Sequence, residues 1–431
     1  MSLNRKGIVL AVGAALAAPG AYAQIKSPAG SDWEFYGKFY PEFAHINGTG
    51  QTTSAAGLAT LAPALTNGGN PNLVSRGEIL VGNTYIGFRG GKSIGSGLRA
   101  IWQLETTVSI DDGSVGSGLG TRDTFVGLDA YWGTFRVGFM DTPFKKAGDV
   151  LGFLGVSSGN FVQTNPLLRQ VGFANAAGGP NSNASRFHER RGNALDYASP
   201  TYFGGLQYMA QYSLGSQANP SETSITNNPR RFPRVVSQAI KWESGPFYFA
   251  AMHEVHFDFF GGSTNATAAQ ANLNAATDAL VHSKDQAAQL TAMFKLGGHT
   301  FEVDVAKKIY EENPEASTAV NIIGRFVKYT NISWMAAWEG RWSNQWRTAA
   351  TVTRANAGTC TLFNATCSTA GLDGKQLSLG GSYYLDPSVY LFLIGSKVWN
   401  GPSARYDNVS NGSPANGEDV IQLALGISYS F

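Results

Sequence analysis

The ordering of connections constrains this chain more than any other feature of it. Period-two alternation of apolar and polar residues recurs along its 431 residues, the pattern of a sheet whose two faces meet different surroundings. In "GLRAIWQLETT", Leu98, Ala100, Trp102 and Leu104 share one face, and Arg99, Gln103, Glu105 and Thr107 the other. "HTFEVDVAKK" sets Phe301, Val303 and Val305 against Glu302, Asp304 and Lys308. Strands are predicted near 33–46, 83–90, 97–108, 121–130, 133–140, 192–199, 204–214, 234–243, 246–256, 287–296, 299–309, 329–340, 346–355, 375–385, 389–399 and 419–431, sixteen in all. Their connections alternate, long then short. The short ones carry turn chemistry, such as "DAYWGT", "ESGP", "LGGH" and "LDPS". The long ones, including 47–82, 141–191 and 257–286, are rich in Gly, Asn, Ser and Ala. A soluble sandwich has no reason to sort its loops by length. An even strand count with tight turns at one end and long loops at the other predicts an all-β fold, a 16-stranded antiparallel transmembrane β-barrel.

Composition agrees without deciding. Charged residues are 14% of the chain, against about 25% in soluble proteins; aromatics reach 12% and there are 52 glycines. A secreted β-rich protein could share these values. Beyond the N-terminus no stretch is apolar for 18 residues, so a transmembrane helix is not expected. A closed barrel is then the remaining way to satisfy every backbone group in lipid. Arg5 and Lys6, the apolar run "GIVLAVGAALAA" and the small-x-small "AYA" at Ala21–Ala23 read as a signal peptide, residues 1–23. The mature barrel, 24–431, would begin at Gln24 and cross the periplasm to the outer membrane. Setting aside Arg5 and Lys6 balances 30 basic against 30 acidic residues, which points to no nucleic-acid partner. Cys360 and Cys367 read as a short loop disulfide in an exported chain. With no histidine nearby they cannot complete a zinc site. "ATAAQANLNAATDALVHSKDQ" reads as a helix within a long loop. Trp102, Trp334, Trp338, Tyr383 and Phe392 fall on apolar faces and are expected in rim girdles. The last strand, "VIQLALGISYSF", is expected to pair with the first around "WEFYGKFYPEF", its odd positions facing lipid.

Several segments resemble one family. "YIGFRGGKSIGSGLRAIWQLE", "TRDTFVGLDAYWGTFRVGFMDTP", "RRGNALDYASPTYFGGLQYMAQY" and "LGISYSF" are similar to hairpins and the closing strand of Gram-negative trimeric porins of the β-proteobacterial type. The resemblance covers essentially the whole mature chain, most strongly 83–143 and 186–214. It implies a homotrimer of sixteen-stranded barrels, with the third loop folded inward to narrow the pore and a basic ladder on the wall facing it. Arg122 and Arg190 match arginines of that ladder; Arg89 and Arg99 match basic positions of the first hairpin and have inward parity. The chain departs from the family where Thr84-Tyr85 and Gly138-Phe139 replace expected arginine positions, Tyr40 an aspartate, and Ser428 and Ser430 the basic residues before the last aromatic. That leaves a thinner, more aromatic ladder and weak ion selectivity.

The functional weight falls on 141–191, about fifty residues and too long for an idle connection. Asp141, Asp149 and Glu189 are its acids, and Lys145, Lys146 and Arg169 are among its bases. The candidate constriction is therefore Arg89, Arg99, Arg122, Arg190, Tyr85, Asp141, Asp149, Lys145 and Lys146. Each arginine could equally be an ion-pair partner, for instance of Glu105 or Asp196. "HEVH", His253–His256, cannot hold one metal on a strand, where positions three apart face opposite ways. "GGKSIGSG" lacks phosphate-loop spacing, and "SVGSGLG" lacks a nucleophile's base. No metal, cofactor or enzymatic role is expected. The expected function is passive diffusion of small hydrophilic solutes and ions, weakly anion-preferring, in outer-membrane lipid and lipopolysaccharide. A substrate-selective channel is the alternative, and a barrel enzyme or adhesin a more distant one.

Overall fold

The computed structural model describes residues 25–26, 31–62, 70–111, 118–148, 150–151, 162–173, 187–214, 233–258, 280–318, 321–409 and 412–431. Twenty hydrogen-bonded segments form one antiparallel sheet closed on itself. Some are continuations of one another across a bend. They make sixteen barrel strands, with a two-residue lead-in at Ile25–Lys26.

In chain order these are β1 (Asp32–Phe39, resumed at Glu42–Thr49), β2 (Arg76–Leu80, resumed at Tyr85–Gly95), β3 (Leu98–Thr107), β4 (Thr124–Ala130), β5 (Gly133–Asp141) and β6 (Arg190–Ala198). Next come β7 (Leu206–Ser213), β8 (Arg234–Ser244), β9 (Phe247–Phe257), β10 (Val281–Leu296) and β11 (His299–Pro314). The last are β12 (Phe326–Arg341), β13 (Trp346–Ala355, resumed at Thr359–Leu362), β14 (Gly374–Asp386), β15 (Val389–Asn400) and β16 (Asp419–Ser430). Two short helices, α1 (Pro143–Ala147) and α2 (Asn165–Arg169), lie in the third long loop.

The sheet is apolar outside and polar inside, the reverse of a soluble core. Leu425, Val126 and Leu290 are each more than 60% exposed, whereas Ser237, Glu254, Asp304 and Lys308 are fully buried. In β16 the odd positions Ile421 to Tyr429 are exposed, and Val420, Gln422, Ala424 and Ser428 are buried. Closure follows from two registers of β16 on β1, Ile421↔Asn47 to Gly426↔Glu42 and then Phe39↔Tyr429 and Lys38↔Ser430. Beyond them the Phe431 and Gly37 backbones exchange two hydrogen bonds of 3.0 Å. The Phe431 ring packs at 5.4 Å from both Phe35 and Phe39. Phe431→Ala keeps the backbone pair but loses this outer aromatic cluster, worth about 1–3 kcal/mol of closing contact. The expected result is a several-fold lower yield of heat-resistant barrel on refolding, with unchanged unit conductance in those that assemble.

Four expectations need correction. The predicted strand 33–46 is two segments, because Pro41 has no N–H to give the ladder. There the Tyr40 N–H turns to the Thr84 hydroxyl at 2.9 Å, which also interrupts β2. Arg76–Leu80, unpredicted, pairs with the second half of β1. Residues 281–286 of the predicted helix are strand, paired as His282↔Asn313 and Gln286↔Ile309; the earlier part of that helix lies outside the described residues. Phe392 is not a girdle ring. It faces inward, 2% exposed, stacked on Tyr40 at 4.3 Å.

Candidate functional site

The third loop starts at Thr142, whose side chain caps α1 by accepting the Lys145 N–H, with Pro143 in the first turn. That cap turns the chain inward instead of up. Phe144 and Ala147 are fully buried. From there the loop is fastened to inward-facing positions of successive strands. Phe144 N–H donates to Ser237 Oγ on β8 at 3.1 Å, and Tyr248 Oη on β9 donates to the Ala147 carbonyl at 2.6 Å. Leu151 N–H reaches Glu302 Oε2 on β11 at 2.9 Å. Arg169 Nε donates to Gln289 Oε1 on β10 at 2.7 Å, and its guanidinium also holds the Gly148 carbonyl. Lys308 Nζ on β11 donates to the carbonyls of Leu167 (3.2 Å) and Leu168 (3.0 Å) and to Ser333 Oγ (2.7 Å). On β14, Gln376 and Ser378 donate to the Val162 carbonyl at 3.1 and 2.9 Å. Phe144, Val171, Phe173 and Phe187 fill the space behind the loop with Tyr248, Tyr310 and Tyr329. The loop thus lines the wall from β8 to β14.

The wall of β1 to β5 faces it, and there cations alternate with tyrosines. Arg89 pairs with Glu34 and lies over the Tyr36 ring, 4.8 Å from its centroid. Tyr36 Oη donates to Glu105 Oε2 at 2.9 Å. Arg122 pairs with the other Glu105 oxygen and lies over Tyr85 at 4.6 Å. Lys38 sits over Tyr40 at 4.6 Å. Each stacking is a cation–π contact of about 0.5–2 kcal/mol that holds a long side chain flat on the wall.

The nine candidate residues fall into separate groups. Tyr85 and Arg122 are together, and Arg89 is on the same wall. Arg99 is exposed beside the Gly95–Leu98 turn, with no ion pair among the described residues. Arg190, Asp141 and Lys145 sit at the root of the loop. Arg190 Nε lies 2.8 Å from Asp123 and 3.2 Å from Asp141, and Lys145 lies 2.9 Å from Asp141. Burial, with Asp141 beside it, raises the Asp123 carboxyl against the pull of Arg190. Lys146 shares Asp196 with Arg136 at 3.3 Å, and burial lowers its ammonium below the ordinary lysine range. These two ion clusters clamp the loop where it leaves β5 and returns to β6. Asp149 lies outside the described residues. Phe139, opposite Thr124, shares the outward face of Val126 and Val137 and is no part of the pore wall. His256 is buried against Glu254 at 2.9 Å while His253 points outward. Cys360 and Cys367 are disulfide-bonded.

Sequence reasoning missed Glu34, Tyr36 and Lys38 as wall residues, and Lys308 as the loop's anchor. The signal for the first three was the same two-residue spacing, Glu34, Tyr36, Lys38, Tyr40, Glu42.

A closed sixteen-strand barrel, apolar outside and lined inside by its own loop and a charged wall, is an outer-membrane barrel. A family model for Gram-negative porins matches residues 9–397, and the chain belongs to that family. Major outer membrane protein P.IB of Neisseria meningitidis serogroup B is 31% identical over 167 residues, 38% of this chain and 44% of that protein. The chain spans about half the length of such relatives. Among solved structures, an anion-selective porin from Comamonas acidovorans shares the fold, with a TM-score of 0.61, 16% identity, and coverage of 93% of this chain and 100% of that one. In vitro-folded OmpT of Vibrio cholerae, in its trimer form, has a TM-score of 0.54 at 12% identity, covering 93% and 99%. The chain's place is the outer membrane.

Proposed function

We propose that the barrel is a channel for passive diffusion of small hydrophilic solutes and ions, weakly anion-preferring, working as a homotrimer after cleavage of residues 1–23. The carrying observation is the third loop fastened to the β8–β14 wall opposite the Arg89–Tyr36–Tyr85–Arg122 series. Charges in a water-filled passage with low-dielectric walls raise the local concentration of counter-ions. Of the wall cations, Arg89 and Arg122 face carboxylates at Glu34 and Glu105, so the preference is weak. Arg99 tips the balance to anions. Movement follows the concentration gradient, and no chemical step enters. The trimer form of one structural relative supports the assembly. Outer-membrane lipid and lipopolysaccharide are the surroundings this reading implies.

A second reading, a channel selective for particular solutes, draws on Tyr36 and Tyr85, whose rings take part in the wall cation stacks. Purified protein in a planar bilayer separates the two. Ohmic steps in threes, with a reversal potential of anion sign in a salt gradient, are expected of the diffusion channel. Small conductance blocked by one solute class would favour the second reading, and a cation-selective sign would refute the anion preference.

A further inference from the structure

The outer face of the barrel carries a group of cations on the rim nearest the long loops. Arg354 on β13 stands directly opposite Lys375 on β14, and Lys375 stands opposite Trp399 on β15. Lys397, opposite Leu377, is diagonal to Lys375. The register places them on the lipid side, in line with Val352, Leu379 and Leu393, all exposed. Like charges directly opposite on one face of a sheet repel. Among the described residues neither Arg354 nor Lys375 has an ion pair, and Asp419 reaches only Lys397, at 3.7 Å. Three cations against one carboxylate leave a local charge near +2. The Trp399 ring lies 5.2 Å from Lys375 and 5.0 Å from Lys397, and tryptophan at a barrel rim marks headgroup level.

From this group an apolar furrow of about 870 Å³ runs down the outside of β13 to β16, with Lys397 at one end and Leu377, Leu379, Leu393 and Leu423 in its walls. It is deep because Ala350, Gly381 and Gly395 form its floor. A Cβ added at Gly381 would come no closer than 3.7 Å to any atom.

We propose that the cation group and furrow are one site for a phosphorylated lipid of the outer leaflet, its phosphate held by Arg354, Lys375 and Lys397 and an acyl chain laid in the furrow. Charge chooses between headgroups. A phosphomonoester carries about −1.5 to −2 near pH 7 and matches the site. A phosphodiester, with a single charge, compensates about half of it. The partner is therefore a lipid bearing a phosphomonoester, and bisphosphorylated lipid A is the probe. The site is independent of what crosses the lumen.

Native mass spectrometry of the purified full-length barrel reads bound lipid directly. Bisphosphorylated lipid A is expected to be retained in preference to its dephosphorylated form, phosphatidylglycerol or inorganic phosphate. The pair Arg354→Gln and Lys375→Gln should weaken retention by at least about ten-fold. Gly381→Leu, which fills the furrow and leaves the charges, should weaken it several-fold. Both variants should keep wild-type conductance, which reports a folded barrel. Unchanged retention by the charge variant overturns the proposal, as does equal retention of the dephosphorylated lipid or phosphatidylglycerol. Equal binding of inorganic phosphate would remove the furrow from the site and overturn it as well. Loss of trimers with lipid retention intact would make the furrow a subunit contact, with the same consequence. Lipid A retained by a barrel without conductance would leave this site standing and sink the channel reading instead.

Discussion

Glu105→Gln is expected to turn the weak anion preference proposed for the channel into a clear one. Glu105 neutralises Arg122 on one oxygen and accepts Tyr36 Oη on the other, with its side chain 10% exposed. Glutamine keeps the shape and one acceptor, while Tyr85 continues to hold the Arg122 guanidinium over its ring. The lumen then gains one uncompensated positive charge. A unit charge about 8 Å from a passing ion is worth ~0.5–1 kcal/mol at an effective dielectric constant between about 40 and 80. The sign reverses for cations, so the two effects add in the permeability ratio. After screening at about 0.1 M salt, the anion-to-cation ratio should rise roughly two- to five-fold. Arg122→Gln leaves Glu105 unpaired and should move the ratio the other way by a similar factor. A reversal potential in a tenfold potassium chloride gradient measures both. Equal potentials in wild type and the two variants would place this pair away from the ion path.

The barrel was legible because its side-chain period is two and lipid demands that every second residue be apolar. In β16 the parity read from sequence is the parity observed, with Leu423 and Leu425 outside and Gln422 and Ala424 inside. Legibility failed where a second requirement competed. At β15 both parities are apolar, Leu391 and Leu393 facing out and Phe392 and Ile394 facing in, because the inner wall there packs against Val162 of the loop and against Tyr40. At 281–286, residues that follow an alanine-rich stretch sit in a ladder that Ile309–Pro314 of β11 completes; long-range pairing, not the composition of the neighbouring stretch, decides. For the site, the resemblance and inward parity located Arg122 and Arg89. Their compensation by Glu105 and Glu34 depends on register between strands, which one sequence does not display. The loop's inward path was expected from the resemblance. The residues that fasten it are 93 or more positions away in the chain, as Phe144–Ser237, Arg169–Gln289 and Leu168–Lys308 illustrate.

Lys308→Met should release the loop and leave the barrel intact. The ammonium is fully buried and is held by two carbonyls at the end of α2 and by the Ser333 hydroxyl. Carbonyls at a helix C-terminus are the partners a cation prefers, though α2 has only five residues. Methionine has nearly the same volume and removes every donor. Desolvating an ammonium is itself costly, so the strand loses little. The carbonyls of Leu167 and Leu168 bear the loss, at about 1–3 kcal/mol for each buried acceptor left unpaired. That is enough to undock a loop segment held by a handful of such contacts, and it barely affects a closed ladder of sixteen strands. Limited proteolysis should cut between residues 150 and 172 at least about ten times faster, and open-channel current noise should rise as the loop leaves the wall. Thermal resistance of the barrel should stay within a few degrees of wild type. Ser333→Ala removes one acceptor and leaves both carbonyls held, so its effect should stay under about 1 kcal/mol. The comparison separates the loop anchor from a general packing effect. If Lys308→Met matches wild type in both proteolysis and noise, the loop is held without it, by Ser237, Tyr248, Glu302, Arg169, Gln376, Ser378 and the apolar packing.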